Sequence, residues 1–217
     1  SATVSAGLAD GKTIGQGLEE MDKIAAQTLD ETFRTALSGD SKDYRESSSS
    51  LMFAFILALI LIYLILAAQF ESFKDPFIIM LTVPLAIAGA LIFMYAGGIT
   101  MNIFSQIGII MLIGLVAKNG ILIVEFANQK QEGGENKMQA IRDAALQRLR
   151  PILMTSASTV LGLIPLAFAT GEGANQRIAM GTAVVGGMLV STFLTMYIVP
   201  AIYSYISTNR NVKTEIV

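Results

Sequence analysis

The sequence predicts an all-α membrane protein: five transmembrane helices preceded by a short α+β extramembrane segment. Three observations carry this. Five apolar runs reach the roughly 20 residues that a spanning helix needs. Only 15% of the 217 residues are charged, against roughly 25% in soluble domains. The chain also contains no Cys and no His, which removes disulfides, thiolate metal sites and the commonest acid–base group. Most soluble-enzyme chemistries are excluded at once. A net charge of −2 is too small to suggest a nucleic-acid surface.

Residues 1–50 differ from the rest. Ala2–Leu8 alternates loosely and is compatible with a strand. Gly15–Leu37 carries Leu18, Met21, Ala25, Leu29 and Phe33 in an amphipathic pattern, which predicts a helix of about five turns. So few apolar groups cannot support an independent core, so this segment reads as the end of a larger extramembrane domain. The chain starts at Ser1 rather than Met, as a cropped or processed piece would, and no signal peptide is visible. RESSSS at 45–50 leads into the first span, serine being a good helix-start residue.

The transmembrane domain is expected at 51–206, with spans at 51–68, 76–97, 101–127, 151–170 and 178–206, followed by a tail at 207–217. Five such runs make a soluble helical core the weaker reading. An open sheet cannot replace the helices, because its edges would be unsatisfied in lipid. Between the third and fourth spans, Glu135–Leu149 places Met138, Ile141, Ala145 and Leu149 on one face. This predicts a short helix along the membrane surface or an ordinary connector. Pro84, Pro165 and Pro200 are expected to kink their helices. Asn102 and Gln106 cap or flank the third span.

Orientation follows from Lys and Arg in the short loops. Lys74, Lys130, Lys137, Arg142, Arg148, Arg150, Arg210 and Lys213 fall on one side, and only Arg177 on the other. The eight should be cytoplasmic, which puts residues 1–50 outside.

Lys118 is the anomaly. It lies seventeen residues after Met101 and nine before Ala127, beyond easy snorkelling reach of either end. A lysine near a helix centre costs roughly 2.5–3.5 kcal/mol on insertion scales. It should therefore face a bundle interior and pair with a carboxylate. Met111, Gly114, Ile121 and Leu122 share its face, and Gly114 would let another helix come close. Within the five spans the only acid is Glu125, about 10 Å further along the same helix. The counter-ion must come from another chain or another part of this one.

Thr155, Thr159 and Gly162 recur along the fourth span, with Ser156 and Ser158 beside them. Hydroxyls can pass protons or bond a lysine. For Ser156, Ser158 and Thr159 the plainer reading, that they satisfy carbonyls or join helices, is preferred. Gly187, Ser191 and Thr195 form a small-residue face that reads as close helix packing.

These segments resemble a known family. GLVAKNGILIVEFAN (114–128) and RLRPILMTS (148–156) resemble the resistance–nodulation–division (RND) exporters. AAQFESFKDPFIIMLTVPLAIAGA (67–90) and GLIPLAFATGEGANQ (162–176) fit the hydrophobe/amphiphile efflux branch of that family. The likeness runs from Tyr44 onward. It implies that the spans are the last five of a twelve-helix bundle in the bacterial inner membrane, and that residues 1–50 end a periplasmic porter domain. It also implies drug export driven by the proton-motive force, without another cofactor. Lys118 would be the charged relay member, with Asn119 beside it and Thr155 and Arg148 on the next span. The acidic pair would lie in a missing N-terminal half. A homotrimer, a periplasmic adaptor protein and an outer-membrane channel are implied partners. Gly120, where many relatives have Ala, should loosen local packing.

Other readings stand beside this one. A transporter of the same superfamily could move lipids or metals. A split or degenerate remnant would transport nothing. A membrane enzyme or photoreceptor could use Lys118 as a Schiff-base amine. Substrate identity is not encoded in these residues.

Overall fold

A computed structural model describes residues 2–7, 14–30, 32–171 and 173–207, with the backbone alone at 40, 43 and 46–50. The described residues form seven helices in order: α1 (Ile14–Thr28), α2 (Asp40–Phe70), α3 (Lys74–Met80), α4 (Thr82–Ala96), α5 (Ile103–Glu132), α6 (Lys137–Ala167) and α7 (Ala174–Ile206). Among the described residues, five segments are long and apolar enough to cross a membrane: Leu51–Phe70, Lys74–Ala96, Ile103–Glu132, Lys137–Ala167 and Ala174–Ile206.

Residues 2–7 form no strand, which corrects the expected α+β character within the described residues; Leu8 lies outside them. A strand needs a neighbour to complete its ladder, and no described segment supplies one. The amphipathic helix ends at Thr28 rather than Leu37. Thr28, Asp30, Thr32 and Thr35 are weak helix formers, and Phe33 N–H closes a turn on the Asp30 carbonyl at 3.0 Å. Conversely, α2 starts at Asp40 and runs through the four serines without a break. A serine gives up only about 0.5 kcal/mol relative to alanine, and a helix once nucleated extends cheaply. Arg45 pairs with Asp22 of α1, both half-exposed, so the bond adds little stability.

The second span is two helices. Pro84 has no N–H to offer the carbonyl four residues earlier, and α3 and α4 meet at Leu81. The Thr82 hydroxyl donates to the Ile79 carbonyl at 2.7 Å, covering part of the break. Asn102 is the expected cap: it accepts from Ser105 N–H at 2.8 Å, while the Ser105 hydroxyl accepts from Asn102 N–H at 2.9 Å. After α5, Gly134 takes φ +92, a conformation that glycine adopts without strain.

The separate surface helix does not form. Its residues are the first half of α6, which continues through Pro151 to Ala167. The buried stripe is also rotated from the expected one. Ala140, Ile141 and Ala144 are buried, whereas Met138 and Leu149 are exposed. The small Ala140 and Ala144 let α6 approach the bundle, so Ile141 joins a core with Ile123, Val124, Val199 and Tyr203. Burial of that face, rather than the proline, decides where α6 starts.

α7 is the hub, touching α3, α4, α5 and α6. Its small residues make that possible, as the sequence predicted. A Cβ at Gly187 would lie 2.2 Å from Leu112 Cδ2, and one at Gly181 would lie 2.6 Å from the Ala167 backbone nitrogen. Gly120 likewise serves close approach: a Cβ there would meet Ile79 Cγ2 at 3.2 Å. It tightens the α5–α3 contact instead of loosening it. α2 sits at the rim, with Met52, Phe53, Ile56 and Ile65 exposed. Such an apolar flank suits hydrocarbon rather than water.

Candidate functional site

Lys118 is the sixteenth of the thirty residues of α5, about 22 Å from either end. Its side chain is exposed, as are Met111 and Gly114 on the same face, while Ile121 and Leu122 are half-buried. A Cβ on Gly114 would meet nothing within 4 Å. Among the described residues no helix covers this face, and no carboxylate there pairs with Lys118. Neither ion pair nor hydrogen bond engages Lys118 there. Glu125 is occupied within its own helix, accepting from Gln129 Nε2 at 3.0 Å.

Asn119, the next residue, turns the other way. It is 2% exposed, and its Nδ2 donates to Ser156 Oγ on α6 at 3.3 Å. The same Ser156 oxygen accepts from Thr192 Oγ1 on α7 at 3.1 Å. One serine thus joins three helices, the joining role the sequence favoured for it. The Asn119–Ser156 bond also fixes the register of α5 on α6. Lys118 and Thr155, each one residue away, lie at the same depth of the bundle.

Thr155 is exposed, and its hydroxyl donates to the Ile152 carbonyl of its own helix at 3.2 Å. Thr159 does the same to the Thr155 carbonyl at 2.8 Å. Arg148 is half-buried and lays its guanidinium over the Phe126 ring, 4.4 Å from the centroid. That contact is a cation–π pair. Its Nε is buried and has no hydrogen-bond partner among the described residues. Phe126 lies eight residues beyond Lys118, about 12 Å along α5. Asn119 and Lys118 therefore share one level with Thr155, and Arg148 lies apart from them.

Sequence reasoning overlooked a second polar cluster. Asp75, at the start of α3, is 3% exposed and accepts from Asn128 Nδ2 of α5 at 3.0 Å and from Ser207 Oγ at 3.4 Å. Gln131 Nε2 donates to the Tyr203 hydroxyl at 2.8 Å, and Tyr203 donates to Asn128 Oδ1. Lys137 Nζ reaches the Ser207 carbonyl at 3.0 Å. These donors run in series toward the carboxylate, as burying a charge requires. Asp75 escaped notice because it falls one residue before the expected start of the second span. The signal was there: Asn128, Gln131 and Tyr203 are polar groups at the ends of two other spans.

Comparison with known proteins adds a lineage. A family profile described as the AcrB/AcrD/AcrF family matches residues 1–207. An uncharacterized transporter of Haemophilus influenzae is 40% identical over 217 aligned residues, covering 97% of this chain and 21% of that protein. The toluene efflux pump membrane transporter TtgB of Pseudomonas putida is 38% identical over 199 residues, covering 92% of this chain and 19% of its own length. The multidrug resistance protein MdtF of Escherichia coli K12 is 39% identical over 196 residues, covering 90% and 19%. The chain thus spans about a fifth of the length of these relatives.

Proposed function

The chain belongs to the AcrB/AcrD/AcrF family of RND efflux transporters, and from that premise we propose that it is the C-terminal membrane part of a proton-driven exporter of hydrophobic compounds. It carries the lysine side of the proton relay. The observation behind this reading is Lys118: a cation mid-way along a spanning helix, exposed on a face bare of other described helices. A charge so placed in lipid would be costly. A second helical half carrying acidic groups would cover that face and supply the anions.

In this mechanism ionised carboxylates hold Lys118. Protons arriving from the outer side neutralise them and release the ammonium. Thr155, at the same depth, receives it, whereas Asn119 is already engaged with Ser156. Arg148, toward the cytoplasmic end, provides positive potential on the exit side. One elementary charge moved through 100 mV is worth about 2.3 kcal/mol, enough to change a two-state ratio about fifty-fold. The helices then shift and drive the outer domain, of which residues 1–50 are the end. The spans lie at 51–206 with the tail at 207–217, in the bacterial inner membrane, with the N-terminal side periplasmic and the C-terminus cytoplasmic. A homotrimer, working with a periplasmic adaptor and an outer-membrane channel, completes the proposed machine.

The test is Lys118→Ala in the transporter that carries this segment, with ethidium efflux measured at matched membrane levels. The expected result is efflux at the level of cells lacking the pump. Efflux equal to the parent would refute the relay.

A further inference from the structure

We propose that Ser156 and Thr192 are positioning residues for Lys118: they pin Asn119 between α5, α6 and α7, and so fix the rotation of α5 that aims the ammonium at the open face. This rests on the relay reading above.

The argument starts from helix geometry. Adjacent residues of an α-helix are separated by about 100° around the axis. Fixing one side chain therefore fixes the direction of the next. Asn119 is held at 3.3 Å by Ser156 Oγ, and Ser156 is held at 3.1 Å by Thr192 Oγ1. All three are buried, at 2%, 5% and 4% exposure. In such surroundings an amide or hydroxyl left without its partner is penalised, so the three groups favour one rotation of α5. Lys118 has no tie of its own among the described residues. Its direction is set by its neighbour. Because Thr192 lies on the hub helix, any turn of α5 that redirects Lys118 must also load α6 and α7. The triad thus aims the charge and transmits its movement.

A built-in control lies one turn along α7. Thr195 is 1% exposed, and its hydroxyl has no hydrogen-bond partner among the described residues. Thr192→Val and Thr195→Val are the same change, on the same helix, at the same burial. Only the first removes a hydrogen bond.

The experiment measures the initial rate of ethidium efflux in the intact transporter at matched membrane levels, over a range of dye concentrations. Thr192→Val should lower the maximal rate about five-fold, the scale of one buried neutral hydrogen bond, with the half-saturating concentration unchanged. Thr195→Val should match the parent, and Thr192→Ser should restore the rate. Combining Thr192→Val with Asn119→Ala should cost no more than Asn119→Ala alone, since both cut the same chain. If Lys118→Ala abolishes efflux while Thr192→Val behaves like Thr195→Val, the positioning assignment is overturned and the relay stands. Additive loss in the double variant overturns it as well. If Lys118→Ala exports like the parent, the relay and the positioning fall together.

Discussion

Lys118 and Asp75 sit at opposite extremes of exposure, one on a bare helix face and one 3% exposed among hydrogen-bond donors. The lysine stood out in the sequence because nothing near it was charged. Its direction did not, because a helical face is inward or outward only relative to the other helices present. Asp75 was hidden for a related reason. Its partners Asn128 and Ser207 lie 53 and 132 positions away in the chain, and only the fold brings them together. Removing a donor from a buried carboxylate is worth about 1.5–3 kcal/mol. Asn128→Ala, which strips Asp75 of one donor and Tyr203 of its acceptor, should therefore lower the thermal stability of the detergent-solubilised protein by about 2 kcal/mol. Glu125→Gln, at a half-exposed position, should leave it within about 0.5 kcal/mol. Equal melting temperatures for the two variants would show that the Asp75 cluster contributes nothing to stability.

Among the helices, type was readable and extent was not. Long apolar runs announced every spanning segment, because hydrocarbon selects length and composition alone. Boundaries depended on packing. α6 continues through Pro151 because its buried Ala140, Ile141 and Ala144 anchor it to the bundle. The second span breaks at Leu81, where Pro84 withholds a donor. The small-residue face of α7 was legible, and its tightness gives a clear expectation. Gly187→Val would drive a side chain into Leu112 and the Ala86 carbonyl, 2.2 and 2.8 Å from the first added carbon. Overpacking of that kind typically costs about 1–3 kcal/mol. Gly114→Val meets open space in this chain; it should preserve the fold of the segment yet impair efflux if another helical half covers that face. Melting curves set beside efflux rates separate the two effects, and unimpaired efflux from Gly114→Val would count against a covering half.

For the bundle as a whole, the excess of Lys and Arg on one side predicts its orientation. The chain contains no Cys, so single cysteines report cleanly. Thr100→Cys, in the exposed turn between α4 and α5, should react with a membrane-impermeant maleimide in intact cells whose outer membrane has been permeabilised. Asn136→Cys, in the exposed turn before α6, should react only after lysis. The reverse pattern would invert the topology, and the proposed direction of proton flow with it.

The unbroken course of α2 carries a mechanical meaning. Its 31 residues make a rod about 46 Å long, whereas the oily layer is only about 30 Å thick. Roughly a third of the rod must stand clear of the bilayer, without a joint at the surface. A lean of about 10° in the submerged part would swing the free tip by about 8 Å over that length. Motion of the submerged part would then reach the N-terminal tip of the helix undamped, as far as the non-helical stretch that joins it to α1.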